Sequence, residues 1–400
     1  KVIILLSKPR KSLKGFLLTF KKMGLHTNID KFICYLLIGL EVIYYGQGNM
    51  IIKGGVIPQI ALILILSISA FFLIKMLILN ERFTAFMKFW LAFMLINSLY
   101  FLLTAEYSED FGIYKSMLLN FLPFFPFYYF AKRKILTSKI LICFFILIAP
   151  FLVLNLFEAI KTAQYIQGKE EVLLIASAYA FIGLLPFVLL IKNKTIAFSV
   201  FILLIYFMIL TNKRGVIICG VLSMILLVYR TFHSSKGSLK SNITAIFFTL
   251  LIGYFGYTFY IENQFLLDRM NETFEGKGGT ARENIFTDLY NTWVNSDNIL
   301  NIIFGLGYNA SDRYTIHVAH NDWIDMLGSF GLFGLVLYLV LFGKICMKVF
   351  EKNWNKNKKI ILYSFVFCAL ITSLTSRWYI STFSFMNVMI LPYLLVTNED

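Results

Sequence analysis

Residues 56–79 read VIPQIALILILSISAFFLIKMLIL, with one charged side chain, Lys75, near the end. A helix needs about 20 residues to cross ~30 Å of hydrocarbon, so this stretch is long enough to span a bilayer. The pattern recurs along the chain. Apolar runs between polar breaks fall near 32–45, 56–79, 83–104, 111–131, 140–157, 172–191, 195–210, 215–232, 243–261, 324–343, 360–374 and 379–396. They predict an all-α polytopic membrane protein with about twelve transmembrane helices. Composition agrees, since 58% of the 400 residues are hydrophobic and 15% charged, against roughly 45–50% and 25% in soluble globular chains. A water-soluble fold is excluded.

An even number of spans puts both termini on one side, and the positive-inside rule then predicts Lys and Arg in alternate connections. With the amino terminus inside, 26 of the 37 basic residues fall on the inner side, and 16 of the 22 acidic residues fall outside. The net charge of +15 is therefore a topology signal, and no nucleic-acid partner is expected. Residues 1–31 read as a basic cytosolic segment and 32–396 as the transmembrane domain. The chain opens at Lys1, and Val2 to Leu6 is too short for the apolar core of a cleavable signal, so a retained, cytosolic amino terminus is expected. Leu13, Phe16, Leu17 and Phe20 alternate with Lys14, Lys21 and Lys22, fitting either an interfacial helix or a solvated basic tail. The five cysteines form no CxxC pair, and neither disulfides nor zinc is expected.

Residues 262–323 make one outer loop of about 60 residues, far beyond the ~12–15 at which a structureless connection becomes unusual. Phe265, Leu266, Met270 and Phe274 have helical spacing, and Gly276 to Gly279 ends that segment. A second helix is announced by the capping-box spacing of Thr280 and Glu283, with Ile285, Leu289 and Trp293 as its apolar stripe. A turn at Ser296-Asp297-Asn298 follows, then Ile299 to Phe304. Asn321 or Asp322 can cap the tenth span.

No GxxxxGK, GxGxxG, HExxH or GxSxG motif is present, so chemistry must come from scattered polar residues at the membrane face. Lys213 and Arg214 crowd the break between two spans, as interface anchors or as anion ligands. Arg282 stands in the first turn of a helix, where a guanidinium beside exposed N–H groups suits phosphate oxygens; an ordinary surface arginine fits the spacing too. Arg377, between the last two spans, is a third outer cation or a further anchor. His320 is the neutral base candidate near these cations, with a helix cap as its other reading. His317, His320, Asp322 and Asp325 match no strong metal-ligand spacing, and no metal is expected.

Lys213-Arg214-Gly215 opening a span, Arg282 followed by Ile285-Phe286, Phe304-Gly305-Leu306-Gly307, His320-Asn321-Asp322-Trp323 and Leu327 to Gly334 occur in an order that resembles the O-antigen polymerase and ligase family of bacterial membrane glycosyltransferases. The resemblance covers about residues 205–345. It implies a fold similar to type C glycosyltransferases, with 262–323 as a large, partly helical periplasmic loop and both termini cytoplasmic in the inner membrane. It implies transfer from undecaprenyl-diphosphate-linked oligosaccharide, inverting and free of cofactor and metal. Arg214 and Arg282 match the arginines thought to hold the diphosphate, and His320 matches the histidine at the acceptor hydroxyl. Lys213 and Arg377 are further candidate diphosphate contacts. Lys213 departs from the family, which often has Ser or Thr there.

The motifs do not separate a polymerase, which joins lipid-linked repeat units, from a ligase, which moves finished polymer to lipid A core; a polymerase is the favoured expectation. The expected partners are the lipid-linked oligosaccharide and membrane lipid, with room for a chain-length regulator protein. A flippase or other transporter is the reading from another class. Transporters place ionisable groups near the midplane, where Glu41 is the clear case, and the other candidate charges cluster outside.

Overall fold

The computed structural model describes residues 25–47, 55–79, 81, 83–167, 178–211, 213–234, 280–315, 319–351, 354–381 and 385–397, with isolated positions between 243 and 257. For Arg214 and Arg282 the description covers the backbone alone. The expected helix near 265–274, the glycine stretch after it, the basic segment up to residue 24 and His317 lie outside the described residues.

Every regular element among the described residues is helical. In chain order these are α1 (Leu25–Gly46), α2 (Val56–Ile78), α3 (Ala85–Thr104), α4 (Tyr107–Phe121), α5 (Phe124–Lys132), α6 (Ser138–Gln167), α7 (Ala178–Val188), α8 (Lys194–Ile209), α9 (Arg214–Ser234), α10 (Thr280–Val294), α11 (Ile299–Phe304), α12 (Ala310–Tyr314), α13 (Asp322–Phe350), α14 (Lys356–Thr375), and a π-helical turn (Met386–Ile390) running into α15 (Leu391–Thr397). Among the described residues, six helices are long and apolar enough to cross a membrane: α2, α3, α9, α13, α14 and the 138–162 part of α6. The chain is an all-helical, membrane-embedded protein. Large apolar side chains such as Ile63, Leu103 and Val336 stay exposed on these helices, as expected where lipid is the neighbour.

The remaining expected spans differ instructively. The run 111–131 is two helices, because Pro123 has no N–H to continue α4; the break sits at Leu122 and Pro123. The run 172–191 keeps α7, and residues 168–177 lie outside the description. The run 379–396 begins as irregular backbone, and its described helix starts only at Phe385. Trp378, Tyr379 and Ile380 are nevertheless buried. Buried non-helical backbone needs partners for its polar groups. Asn120 is one here, its Nδ2 donating to the carbonyls of Trp378 (3.1 Å) and Ser381 (3.0 Å).

The tenth expected span, 324–343, is neither so short nor so regular. Helix α13 runs from Asp322 to Phe350 and breaks at Gly331 (φ 65°, ψ −161°). The 304–307 segment fills the break. The Leu306 N–H donates to the Gly328 carbonyl (2.8 Å) and the Gly307 N–H to that of Ser329 (3.3 Å), so carbonyls freed by the break are paired again. The two glycine motifs of the sequence are thus one structural unit, a loop backbone laid against a helix break.

Two polar ends frame the bundle. At one, Lys75 Nζ meets Asp30 (3.2 Å), the Tyr129 hydroxyl donates to Asp30 (3.0 Å), and Lys132 pairs with Glu81 (2.6 Å). Arg230 at the end of α9 donates to the Ile191 carbonyl (3.1 Å). At the other, the start of α13, the end of α14 and the start of α9 converge with residues 304–315. Between the ends, Glu41 is fully buried in α1, with neither carboxylate oxygen hydrogen-bonded.

Candidate functional site

The second polar end is built around three buried carboxylates, Asp110, Asp322 and Asp325. Asp110 caps the start of α4, where its Oδ2 accepts from the Glu106 N–H (2.9 Å) and pairs with Arg313. Arg313 also donates to the Thr104 carbonyl (3.0 Å) and lies 3.5 Å from Glu106. The guanidinium is therefore fixed from several sides. Asn309, in the left-handed region at φ 56°, a conformation Asn adopts more readily than most residues, donates to Asp110 Oδ1 (3.0 Å).

Asp325 sits one turn into α13 and is fully buried. Its Oδ1 accepts from the Ser311 hydroxyl (2.8 Å), its Oδ2 from the Tyr379 hydroxyl (2.6 Å), and Arg377 lies 3.8 Å away. Arg377 also donates to the Asn309 side-chain oxygen (3.4 Å). Asp322 Oδ2 accepts from the Tyr338 hydroxyl (2.6 Å) and the Trp378 N–H (2.9 Å), and its Oδ1 has no hydrogen-bond partner. This network ties residues 308–313 and 376–381 to the first turns of α13. Burial pushes the Tyr308 hydroxyl, which has no hydrogen-bond partner among the described residues, above the usual phenol range, with the nearby Asp325 and Asp110 charges adding to the effect.

Among the sequence candidates, His320 is exposed and stands one residue before the α13 cap, with left-handed backbone at φ 45°. The cap is Asn321, whose side-chain oxygen accepts from the Trp323 (2.9 Å) and Ile324 (3.3 Å) N–H groups; capping does not need the imidazole. Asn321 Nδ2 reaches the Leu374 carbonyl (3.3 Å) at the end of α14. Gly215 packs so near Thr375 that a Cβ there would lie 2.6 Å from its Oγ1. The backbone sites of Arg214, His320 and Arg377 are therefore neighbours of one junction between α9, α13 and α14. Arg282 is in the first turn of α10, which packs on α13 with Leu289 against Gly328. Ile285, Leu289 and Trp293 are buried as the stripe predicts, and the side chains of Thr280 and Glu283 lie outside the description.

Asp110, Asn309, Arg313 and the inward role of Asp325 were not singled out by sequence. The signal for Asp325 was its i, i+3 spacing from Asp322 at a span's mouth; Asp110 was visible only as one of three acids in a tight loop. Asp322 and Asp325 are buried whereas His320 is exposed, and no described group of His, Cys, Asp and Glu has metal-holding geometry.

Removing the Asp325 carboxylate leaves the Arg377 guanidinium and the Ser311 and Tyr379 hydroxyls without their shared acceptor. Asp325→Ala is expected to cost on the order of 3 kcal/mol, the range for breaking a buried pair. Chemical unfolding in micelles would read this loss, with Asp325→Asn intermediate; a wild-type midpoint for Asp325→Ala would contradict it. Compared with known proteins, the chain matches no family model and no curated relative.

Proposed function

We propose that the chain is a membrane glycosyltransferase that polymerises undecaprenyl-diphosphate-linked oligosaccharide repeat units at the periplasmic face of a bacterial inner membrane. The observation that carries this reading is the junction of α9, α13 and α14. There the backbone positions of Arg214, His320 and Arg377 are neighbours, and α10, with Arg282 in its first turn, packs on the same helix α13 through Leu289 and Gly328. The chemistry needs those groups. The acceptor hydroxyl oxygen bonds to the anomeric carbon of the donor while the bond from that carbon to the diphosphate oxygen breaks. The diphosphate leaves with the electron pair, the hydroxyl proton passes to His320, and direct displacement inverts the anomeric centre. Arg214 and Arg282 balance the charge gathering on the leaving group. Lys213 adds charge at the same break, and Arg377, held by Asp325, contributes from the facing segment.

Deletion of the gene tests the assignment. Loss of the polysaccharide ladder with a single repeat left on lipid A is the expected result. Complete loss with polymer left on undecaprenyl lipid would mean a ligase. Lipid-linked repeats retained on the cytosolic side would mean a flippase, the reading that the unpartnered Glu41 favours.

Arg214→Ala and Arg282→Ala are each expected to slow turnover on the order of 10²–10³-fold, because each removes a contact that strengthens as charge develops. Lysine at either position restores only part, since a point charge does not reproduce the planar fork. Wild-type polymer from both alanine variants would remove these residues from the site.

The orientation is tested with single cysteines in a background lacking the five native ones. Position 297, exposed before α11, should react with an impermeant thiol reagent in spheroplasts, and position 356, exposed at the start of α14, should not. Asn309 would be a poor reporter because it is buried. Equal labelling at 297 and 356 contradicts the proposed topology.

A further inference from the structure

A groove of about 520 Å³ lies between α10 and α12, lined by Asp288, Asn291, Thr292, Arg313, Tyr314 and Thr315. Its size is within the ~300–1,000 Å³ of small-molecule sites, and each of its lining side chains carries a polar group. Asp288, Asn291 and Thr292 share one face of α10 through i, i+3 and i+4 spacing, beside the apolar stripe that fixes the helix to α13. Opposite them, Tyr314 is half exposed, and Arg313 is held in place by Asp110 and the Thr104 carbonyl. The walls are therefore carried on elements that the core immobilises.

The lining suits one ligand class. Carboxylate, amide and guanidinium are planar groups that each offer two adjacent polar atoms, matching vicinal hydroxyls on a pyranose ring. A tyrosine face with a polar tip fits the C–H side of such a ring. A wholly apolar ligand would leave the carboxylate and amide of the lining without partners. Because Asp110 and Glu106 already offset Arg313, the exposed Asp288 carboxylate sets the local charge and disfavours acidic sugars.

We infer that this groove is a saccharide subsite for neutral or amino sugars of the repeat unit, a conclusion that rests on the proposed transferase reading. Its location fits that use. One wall is α10, which carries Arg282 in its first turn, and the other is α12 with Thr315, five residues before His320 in the sequence. A glycan seated here touches α10 and α12, both packed on α13, the helix that begins just after His320, without needing any phosphate contact.

The test uses the full chain in nanodiscs and, as probe, the phosphate-free oligosaccharide released by mild acid from the cells' own lipid-linked repeats. Asp288→Ala, Asn291→Ala and Tyr314→Ala alter exposed side chains, and unchanged thermal unfolding would verify their folds. Each is expected to weaken probe binding about tenfold, the scale of losing a charged or bidentate hydrogen bond, while Arg214→Ala binds the probe as wild type does. Wild-type affinity in all three groove variants overturns the inference, whatever the gene deletion shows. A polysaccharide ladder unaltered by gene deletion, with probe binding still lost in the groove variants, overturns the transferase reading and leaves a sugar-binding groove.

Discussion

His320→Ala is expected to lower polymer formation by at least 10²–10⁴-fold, the usual contribution of a positioned general base, with lipid-linked donor still bound. Two effects must be separated, because His320 has left-handed backbone, a region in which His and Asn occur several-fold more often than most other residues. His320→Asn separates them. Asparagine tolerates the left-handed region and keeps hydrogen-bonding capacity, but has no basic nitrogen to accept the acceptor proton. The His320→Asn protein should therefore fold like wild type and still be inactive. Asn321 supplies the α13 cap by itself, so a loss in either variant is not a lost cap. Full turnover by His320→Asn would end the base assignment.

Alanine at Gly331 or Gly305 is expected to have the largest structural effect. Gly331 (φ 65°, ψ −161°) and Gly305 (φ 86°, ψ 178°) occupy backbone regions essentially reserved for glycine, worth ~1–3 kcal/mol each when violated. A Cβ on Gly305 would fall 2.4 Å from the backbone of Ser329 and Phe330, and one on Gly331 2.5 Å from Gly305 N and the Ile303 carbonyl oxygen. Neither neighbour is a flexible side chain, so overpacking adds ~1–3 kcal/mol, for a loss on the order of 4 kcal/mol. Limited proteolysis should cleave between 296 and 320 in these variants and spare wild type. Gly343, with no heavy atom within 4 Å of its would-be Cβ, is the control, and Gly343→Ala should behave as wild type.

Hydropathy alone carries the helical class and the places of α2, α3, α9, α13 and α14, because each is a long apolar run with polar ends. It could not carry the breaks. Gly331 sits within an apolar stretch that reads as unbroken helix, and only the segment 304–307, more than twenty residues earlier, supplies the hydrogen bonds that make the break stable. The irregular Trp378–Ser381 segment hides for the same reason: it scores as membrane-spanning, and the Asn120 amide that permits it lies some 258 positions away. Within the candidate site, single residues beside span ends were legible, since charge at the mouth of an apolar run is conspicuous. The carboxylates that hold those residues were not. Asp325 and Asp110 are defined by partners on other segments of the chain, and no local spacing encodes Tyr379 or Arg313 as those partners.

The proposed activity is tested most directly by incubating the purified chain in nanodiscs with undecaprenyl-diphosphate-linked repeat units as the sole sugar source, with EDTA present and no nucleotide sugar. The expected result is a ladder of lipid-linked polymer, with undecaprenyl diphosphate released for each new linkage and inverted configuration at the new bond. Neither His320→Ala nor Arg214→Ala should form the ladder at a comparable rate. Repeat units recovered unchanged from the wild-type protein, under conditions where it is folded and binds them, would contradict the assignment.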